Sequence, residues 1–244
     1  MSRIIVITGG GSGLGRAIAR RRAKAGDTLV LLGRTFSKLQ AVAEEVGHGA
    51  LAIQCDITDP QSVRDAFATI AKTHPKIDVL INNAGVFSPF AIATATDEQI
   101  QSTIATNLNG PIYCSRAAIP MMEKGGHIIN ISSESIGENF FMLSLYQCAK
   151  AGLEHFTGSL RGEVAKLGIR VTTVRAGQMM DEDMVHDRDP ETAQAFAMGN
   201  IERGIDLRNR PISHFDSVAT IFDSVLDLPD DVHVPVVRLS ARHP

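Results

Sequence analysis

The segment Thr8-Gly9-Gly10-Gly11-Ser12-Gly13-Leu14-Gly15 follows the apolar run Ile4–Ile7 and leads into a helical pattern over Leu14–Ala25. Glycine has no Cβ, so the backbone here can turn tightly and approach a phosphate group closely. The N-terminus of the next helix offers unpaired N–H groups and a partial positive charge to the same anion. A glycine turn between a buried strand and a helix therefore predicts a dinucleotide site, and a tight turn without a ligand is the alternative.

Two other glycine motifs fit this segment less well. Gly10 and Gly15 have the spacing of a phosphate-binding P-loop, but Arg16-Ala17 stands where that motif needs Lys and then Ser or Thr. The nucleophile elbow GxSxG would need a glycine where the chain has Leu14. The pattern that fits is TGxxxGxG, whose glycines are Gly9, Gly13 and Gly15.

Apolar, β-branched runs alternate with longer helical patterns along the chain. Several runs are continuously apolar, as in strands buried on both faces of a parallel sheet. The predicted strands are Ile4–Ile7, Thr28–Leu32, Leu51–Cys55, Val79–Ile81, Ile128–Ile131, Val171–Val174 and Val234–Val237. The predicted helices are Leu14–Ala25 ending at Gly26, one capped by Ser37 and running to Val46, one opened by Asp59-Pro60 and running to Thr73, Asp97–Met122, Ser144–Leu167 ending at Gly168, and Ser217–Leu226 capped by Asp216. The pattern predicts one α/β domain over residues 1–244, with a doubly wound parallel sheet of about seven strands and helices on both faces.

The stretch 178–211 is the least regular part of the chain. It is polar and charged, with scattered Met and Phe, and it lies between the sixth and seventh predicted strands. We interpret it as an excursion from the core. It is either a variable surface loop that contains a helix or a substrate lid.

Composition excludes several classes of protein and site. The net charge of −3 does not favour a nucleic-acid-binding or membrane surface, and no apolar run is long enough to cross a bilayer. The three cysteines lack metal-site spacing and are expected to be reduced and half-buried. The eight histidines form no paired-ligand pattern, so we expect surface or capping roles for them and no metal site. The default location is the cytoplasm, since no signal-peptide pattern opens the chain.

Tyr146 and Lys150 can form an acid–base pair. They stand four residues apart in a predicted helix, so they share one helix face. A tyrosine hydroxyl titrates too high to be a good base near neutrality, and a nearby ammonium would lower its pKa. Ser133 follows a predicted parallel strand at the edge where ligands bind, and its hydroxyl can donate to a carbonyl oxygen. Each residue could also have only a local structural role.

Further motifs occur downstream in a characteristic order. Asn82-Asn83-Ala84-Gly85 follows the fourth predicted strand, Asn107 lies in the long helix, Ser132-Ser133 follows the fifth strand, and Tyr146-Gln147-Cys148-Ala149-Lys150 comes next. With the glycine turn, this order resembles the classical short-chain dehydrogenases/reductases from Thr8 to about Gly177. The resemblance implies a Rossmann-type fold, a nicotinamide cofactor, a small carbonyl or alcohol substrate, and a homodimer or homotetramer.

The resemblance also implies roles for individual residues. Ser133, rather than Ser132, has the family's interval to the catalytic tyrosine, and Asn107, rather than Asn109, would hold a water beside the lysine. Asp56, followed by Ile57, would bond the adenine amino group, and Asn83, Ala84 and Gly85 would line the adenosine side. The full predicted cofactor set is Gly9, Gly11, Ser12, Gly13, Leu14, Gly15, Arg34, Asp56, Ile57, Asn83, Ala84, Gly85, Tyr146, Lys150, Gly177 and Met179.

Arg34 decides the predicted cofactor preference. No Asp or Glu lies between Val30 and Ser37, where NAD-selective sites carry a carboxylate for the ribose hydroxyl. A guanidinium suits a 2′-phosphate, so we favour NADP, with NAD possible if Arg34 only stacks over adenine.

The chain departs from the family pattern after the sixth strand. Arg175-Ala176-Gly177-Gln178-Met179-Met180-Asp181 keeps the glycine but lacks the usual Pro and Thr. The carboxamide of the cofactor would then be held by the backbone of Met179 or by Asp181. The usual Gly-Gly turn after the last strand is also absent.

Three functions remain open at this point. The leading hypothesis is reversible hydride transfer between NADP(H) and a secondary alcohol or its ketone or aldehyde, with Tyr146 as the acid–base group. A catalytically silent cofactor-binding scaffold or regulator is the second, and an epimerase or dehydratase of the same fold is the third. Apolar residues near the expected pocket hint at an apolar or aromatic substrate, although core or interface roles are equally good for them: Phe87, Phe90, Phe140, Phe141, Met142, Met179, Met180 and Met184.

Overall fold

A seven-stranded parallel sheet forms the centre of the molecule. The computed structural model describes residues 2–181, 189–207, 209–229 and 231–242. The sheet has the strand order β3-β2-β1-β4-β5-β6-β9, and every pairing is parallel. Its strands are β1 Ile4–Thr8, β2 Thr28–Gly33, β3 Leu51–Gln54, β4 Val79–Asn82, β5 His127–Ser133, β6 Arg170–Ala176 and β9 Val236–Arg238, and a separate two-stranded pair is formed by β7 Met179–Met180 and β8 Ser213–His214. The predicted doubly wound α/β fold is confirmed.

Helices cover both faces of the sheet. They are α1 Gly13–Lys24, α2 Phe36–Val46, α3 Pro60–Thr73, α4 Asp97–Ile104, α5 Gly110–Ala118, α6 Ser144–Val164, α7 Pro190–Ile201, α8 Phe215–Ala219 and α9 Ile221–Leu226. Successive strand residues point to opposite faces, so Ile5 and Ile7 enter the core beneath α1, whereas Val6 enters the core beneath α3 and α5. All three side chains are fully buried, as expected for a sheet that is covered on both sides.

Prolines account for two differences from the predicted elements. The predicted helix Asp97–Met122 is interrupted by a π turn at Ala105–Asn109. An α-helical turn would pair the Asn107 carbonyl with the N–H of residue 111, but Pro111 has none and its ring crowds that carbonyl. Pro235 likewise cannot donate to a ladder. The last strand therefore starts at Val236 instead of Val234, while the Pro235 carbonyl accepts from the Thr173 N–H at 3.0 Å.

Helix caps follow the sequence signals only in part. Asp59 caps α3 by accepting from the Gln61 N–H, and Gly168 adopts the left-handed conformation after α6, both as predicted. Two predicted caps are wrong. The helix assigned to Asp216 begins one residue earlier, at Phe215, because His214 Nδ1 accepts the Asp216 N–H at 3.2 Å. Ser37 lies inside α2, which begins at Phe36 after Thr35.

Burial corrects two further expectations. Cys55 and Cys114 are fully buried and Cys148 is exposed, so none of the three is half-buried. His127 is neither a surface nor a capping residue, since it is 2% exposed on β5 and pairs with the Thr172 hydroxyl at 2.8 Å. Burial lowers the pKa of His127 to about 3, so this histidine is neutral.

In the part of the chain that the structure describes, no helix is long and apolar enough to span a membrane. Nor does the same part contain a group of three or more His, Cys, Asp or Glu residues placed to hold a metal ion.

A buried ion network fixes the end of α1 that lies away from the glycine turn. The Arg22 guanidinium and the Asp27 carboxylate are each 3% exposed and lie 2.7 Å apart. Arg22 also reaches Asp223 at 2.9 Å and Asp227 at 3.2 Å. The network ties α1 to the start of β2 and to α9, so it holds the helix whose other end faces the predicted phosphate site.

Arg22→Met is expected to lower the free energy of unfolding by about 3–5 kcal/mol, because it leaves the Asp27 carboxylate buried without its cation. Urea unfolding checks this. Lys76→Met is the control, since Lys76 and Glu123 form an ion pair whose side chains are both 67% exposed, and its loss should cost less than about 1 kcal/mol. Equal effects of the two substitutions would contradict the role given to Arg22.

Candidate active site

One cavity of about 470 Å³ runs along the carboxyl ends of the central strands, from Arg34 at one end to Tyr146 at the other. Ligands of open parallel sheets bind at this edge. Sixteen predicted site residues line the cavity: Gly9, Gly11, Ser12, Leu14, Arg34, Asp56, Ile57, Asn83, Ala84, Gly85, Asn107, Ser133, Tyr146, Lys150, Gly177 and Met179. Gly13 and Gly15 are not among the residues lining it.

The glycine turn shows why those two positions need glycine without lining the cavity. A Cβ on Gly15 would lie 2.3 Å from the Gly9 carbonyl oxygen, so helix α1 could not start where it does. Gly13 has φ +49°, a conformation that side chains disfavour. Gly9 has φ +68°, and a Cβ there would lie 3.0 Å from the Ala84 Cα. The turn thus packs directly against the chain after β4.

Thr8 joins the glycine turn to that chain. Its hydroxyl accepts from the N–H groups of Asn83 and Ala84, both at 3.0 Å, and the Asn83 amide donates to the Thr8 carbonyl at 3.0 Å. These bonds cross from β1 to β4, the two neighbouring strands at the middle of the sheet. Sequence reasoning gave Thr8 no role, because only the pairing of these strands brings the three residues together.

The Arg34 end of the cavity is rich in hydrogen-bond donors. Thr35 and Lys38 line it beside Arg34, and neither was predicted. The signal was present, because Thr35 directly follows Arg34 and Lys38 lies in the first turn of the helix that begins at Phe36. Across the cavity, Asp56 is held by the Thr58 N–H at 2.9 Å and the Thr58 hydroxyl at 2.8 Å.

Ser133, Tyr146 and Lys150 meet at the other end. The Ser133 hydroxyl accepts from the Ser135 N–H at 3.2 Å and lies close enough to the Tyr146 phenol to lower its pKa. The Lys150 Nζ donates to the Ile131 carbonyl at 2.8 Å and lies 6.0 Å from the centre of the Tyr146 ring. Ser132 is turned away, being 3% exposed with its hydroxyl 3.5 Å from the Lys150 carbonyl. The geometry therefore brings Ser133, not Ser132, to the tyrosine.

Burial sets the protonation of this pair. It raises the pKa of the Tyr146 phenol, and the hydrogen bond from Ser133 lowers it only in part. Burial also lowers the pKa of the Lys150 ammonium to about 8. The sequence predicted that the ammonium would lower the pKa of the tyrosine. In this structure desolvation is the larger effect, and it raises that pKa. Near neutrality the phenol is protonated and can donate a proton.

Asn107 is fully buried in the π turn and lines the cavity, whereas Asn109 does not line it. The Asn107 Oδ1 accepts from the Val86 N–H at 3.2 Å, and its amide donates to the carbonyls of Val86 and Thr103 at 3.0 and 3.1 Å. The side chain is therefore committed to the backbone after β4. Since the π turn alters the hydrogen bonding of the backbone, a water beside Lys150 would be held by the main chain of this turn.

The segment after β6 shows what replaces the missing Pro and Thr. Gly177 is required, because a Cβ there would lie 2.9 Å from the Leu239 carbonyl oxygen. Met179 lines the cavity, whereas the Asp181 carboxylate is ion-paired with Arg16 at 3.0 Å. Of the two groups considered for the carboxamide, only Met179 faces the space where it would lie.

The apolar residues expected near the pocket have different environments. Phe87 and Met179 line the cavity, and Phe140 is buried in a cluster that contacts Tyr146. Phe90 is buried, Phe141 and Met142 are half-buried, and Met180 is exposed. Met184 lies outside the described residues.

The predicted excursion 178–211 includes β7 and α7, and part of it, 182–188 and 208, lies outside the described residues. In the described part, the Asn200 side chain accepts from the Phe141 N–H at 2.9 Å. A Cβ on Gly199 would lie 2.2 Å from the Phe141 ring, so α7 packs closely on the loop before α6. This segment therefore forms a wall beside Tyr146.

The residues that line the cavity fit a dinucleotide. Arg34, Tyr146 and the glycine turn at the N-terminus of α1 line one continuous space, and the turn meets that space without side chains at Gly9 and Gly11. Gly9, Gly11, Ser12 and Leu14 would hold the phosphates, and Asp56 and Ile57 the adenine.

Known proteins are similar to this chain in sequence and in fold. The profile of the short chain dehydrogenase family matches residues 3–193. Carbonyl reductase family member 4 of Danio rerio is 32% identical over 236 residues, which cover 96% of this chain and 94% of that protein. A short-chain dehydrogenase from Burkholderia cenocepacia, solved in complex with NADP, is 28% identical and superposes with a TM-score of 0.82 over 98% of this chain and 96% of that one. Another from Streptomyces avermitilis is 26% identical, with a TM-score of 0.84 over 99% and 89%.

Lys150→Met is expected to stabilise the fold at pH 7 by up to about 3 kcal/mol, because the wild type must bury an ammonium whose pKa falls from 10.5 to about 8. Between these values the unfolded chain binds the proton more tightly, so wild-type stability rises as the pH increases from about 8 to 10.5. The gap between variant and wild type should therefore shrink over that range in urea titrations. Lys72→Met, on the exposed face of α3, should show no such change, and a gap independent of pH would contradict this account.

Proposed function

The chain belongs to the short-chain dehydrogenase family, and on that premise we propose that it reduces a ketone or aldehyde to the alcohol with NADPH, reversibly. The observation that carries the proposal is the Tyr146 phenol, kept protonated by burial and lining the same cavity as Ser133 and Lys150. A protonated phenol beside a second hydroxyl is suited to giving a proton to a carbonyl oxygen.

Three residues of the chain act in this reaction. Ser133 and Tyr146 hold the substrate oxygen, Ser133 by donating a hydrogen bond to the charge that develops there. Tyr146 gives its proton to that oxygen. Lys150, an ammonium below about pH 8, stabilises the phenolate that remains and would bond the ribose. Bound cofactor would supply the hydride.

Reduction is the direction that the protonation states favour. Burial raises the pKa of Tyr146 and lowers that of Lys150, so the proton stays on the phenol. Oxidation needs the opposite starting state, a phenolate that accepts a proton from the alcohol. The rate of reduction should decline as Lys150 loses its proton near pH 8.

NADP is the preferred cofactor in this proposal. Arg34, Thr35 and Lys38 gather two cations and a hydroxyl at the end of the cavity where the adenosine ribose would lie. Guanidinium and ammonium groups suit a 2′-phosphate. The segment between Val30 and Ser37 has no Asp or Glu that would favour a free 2′-hydroxyl. The NADP complex of the Burkholderia cenocepacia protein supports the same preference. The backbone of Met179 would hold the carboxamide.

We also propose an assembly and a location for the enzyme. The family resemblance implies a homodimer or homotetramer, and the composition of the chain favours an enzyme that acts in the cytoplasm on a small molecule, without a nucleic acid or membrane partner. The outer strand β9 supports an assembly, because Val236 at the sheet edge is 47% exposed.

Tyr146→Phe is expected to lower kcat for carbonyl reduction by about 1,000-fold or more, because it removes the proton donor. NADPH affinity, measured by fluorescence titration, should change less than about threefold. Tyr113→Phe, the only other tyrosine substitution available, should keep full activity because Tyr113 does not line the cavity. Full turnover by Tyr146→Phe would contradict the assignment, and NADPH binding by the wild type without turnover of any carbonyl would favour a silent scaffold.

Arg34→Leu is expected to raise the KM for NADPH by about 10- to 100-fold, because a charge-assisted bond to phosphate is lost. Lys38→Leu should act in the same direction and more weakly. The KM for NADH should change little in both variants, and Arg64→Leu, an exposed arginine on α3, is the control. Equal changes for the two cofactors would contradict a 2′-phosphate role.

A further inference from the structure

We propose that the substrate is a neutral aromatic ketone or aldehyde and that Phe87 holds its ring. This inference rests on the proposed carbonyl reduction and specifies its substrate class. Phe87 lines the same cavity as Tyr146 and Lys150, yet its side chain remains 42% exposed. The exposed part of Phe87 is apolar surface inside a cleft, which a bound ring would remove from water.

The rings around Tyr146 place that open surface beside the carbonyl position. Phe87 meets Tyr146 edge to face, with ring centres 5.2 Å apart and planes at 86°. It meets Phe196 of α7 in the same way, at 6.0 Å and 79°. A carbonyl oxygen bonded to Tyr146 and Ser133 therefore has its substituent next to a phenylalanine whose exposed part can pack against another ring. Such contacts favour an aromatic over an aliphatic group of the same size.

The wall behind these rings is packed and apolar. Phe140, Leu143 and Phe196 are each less than 10% exposed, and Tyr146, Met142, Ile205 and Leu207 pack against them. Met142 has φ +59°, a strained value for a side chain, and its carbonyl accepts from the Phe90 N–H at 2.9 Å. With the close packing at Gly199, the pocket wall is formed before substrate binds, so ring binding requires little reordering.

The described residues that line this part of the cavity favour a substituent without charge. Among the described cavity residues from Val86 to Phe215 along the chain, Lys150 is the only one with a charged side chain. Its ammonium is bonded to the Ile131 carbonyl, behind the tyrosine. The nearby arginines cover other rings. The Arg203 guanidinium lies 4.6 Å from the centre of Phe141 and that of Arg210 lies 5.3 Å from Phe140, with Arg210 also 3.5 Å from Glu134. Among the described residues, a substrate carboxylate could gain a partner only by drawing one of these arginines from its ring, so it would lose water for little return.

Steady-state reduction of three ketones tests the proposal: acetophenone, 2-butanone and 4-acetylbenzoate. The wild type should have a kcat/KM for acetophenone at least about tenfold above that for either of the others. Phe87→Ala should lower kcat/KM for acetophenone by about tenfold or more, mainly through KM, and lower that for 2-butanone by less than about threefold. Met198→Ala, an exposed residue on the same helix as Phe196, should leave both values unchanged.

Equal losses for acetophenone and 2-butanone in Phe87→Ala would overturn the proposal, because Phe87 would then act only by supporting Tyr146. Reduction of 4-acetylbenzoate as efficient as that of acetophenone would overturn the neutral substrate class. If no ketone is reduced, the proposed function fails, and calorimetry with the unreactive pair benzamide and butyramide still decides this inference. Tighter binding of benzamide that Phe87→Ala abolishes supports it, and equal binding of the two amides contradicts it.

Discussion

The Lys150 ammonium is 5% exposed and is held by a 2.8 Å hydrogen bond to the Ile131 carbonyl, which joins helix α6 to strand β5. Burial lowers its pKa to about 8 and raises the pKa of Tyr146 on the same helix face. Both shifts keep the proton on the phenol. Burying a cation this deeply costs stability. The rest of the site holds Tyr146 and Lys150 in place beside the cavity.

That supporting structure comes from packing of backbone against backbone. Gly15 allows α1 to begin in contact with Gly9, and Thr8 bonds the glycine turn to the chain after β4. The Asn107 side chain hydrogen-bonds the Val86 backbone. The π turn that carries Asn107 arises at a point where Pro111 cannot complete an α-helical bond. These contacts fix the glycine turn, the chain after β4 and the π turn relative to one another around the cavity where a dinucleotide would bind.

Much of the fold was predictable because the strands are short, apolar and regularly spaced, and the motifs fall in a fixed order. Ser133, Tyr146 and Lys150 were predicted from the order of the motifs together with the family resemblance, and the structure brings all three to one cavity. The failures have physical causes. Pro235 delayed the last strand, His214 competed with Asp216 for a cap, and burial reversed the expected shift of the Tyr146 pKa. Thr8 and Phe87 acquire their positions in the site only when distant segments meet, which no local pattern reports.

The most direct measurement is an ultraviolet pH titration of the Tyr146 phenol in the free chain. The sequence has two tyrosines and no tryptophan, so Tyr113→Phe leaves Tyr146 as the only tyrosine to observe. We expect a pKa above that of free tyrosine, and a further rise in Ser133→Ala, because the Ser133 hydroxyl lowers it. A phenol that is already ionised near neutrality, or one that does not respond to loss of Ser133, would contradict a protonated tyrosine as the proton donor.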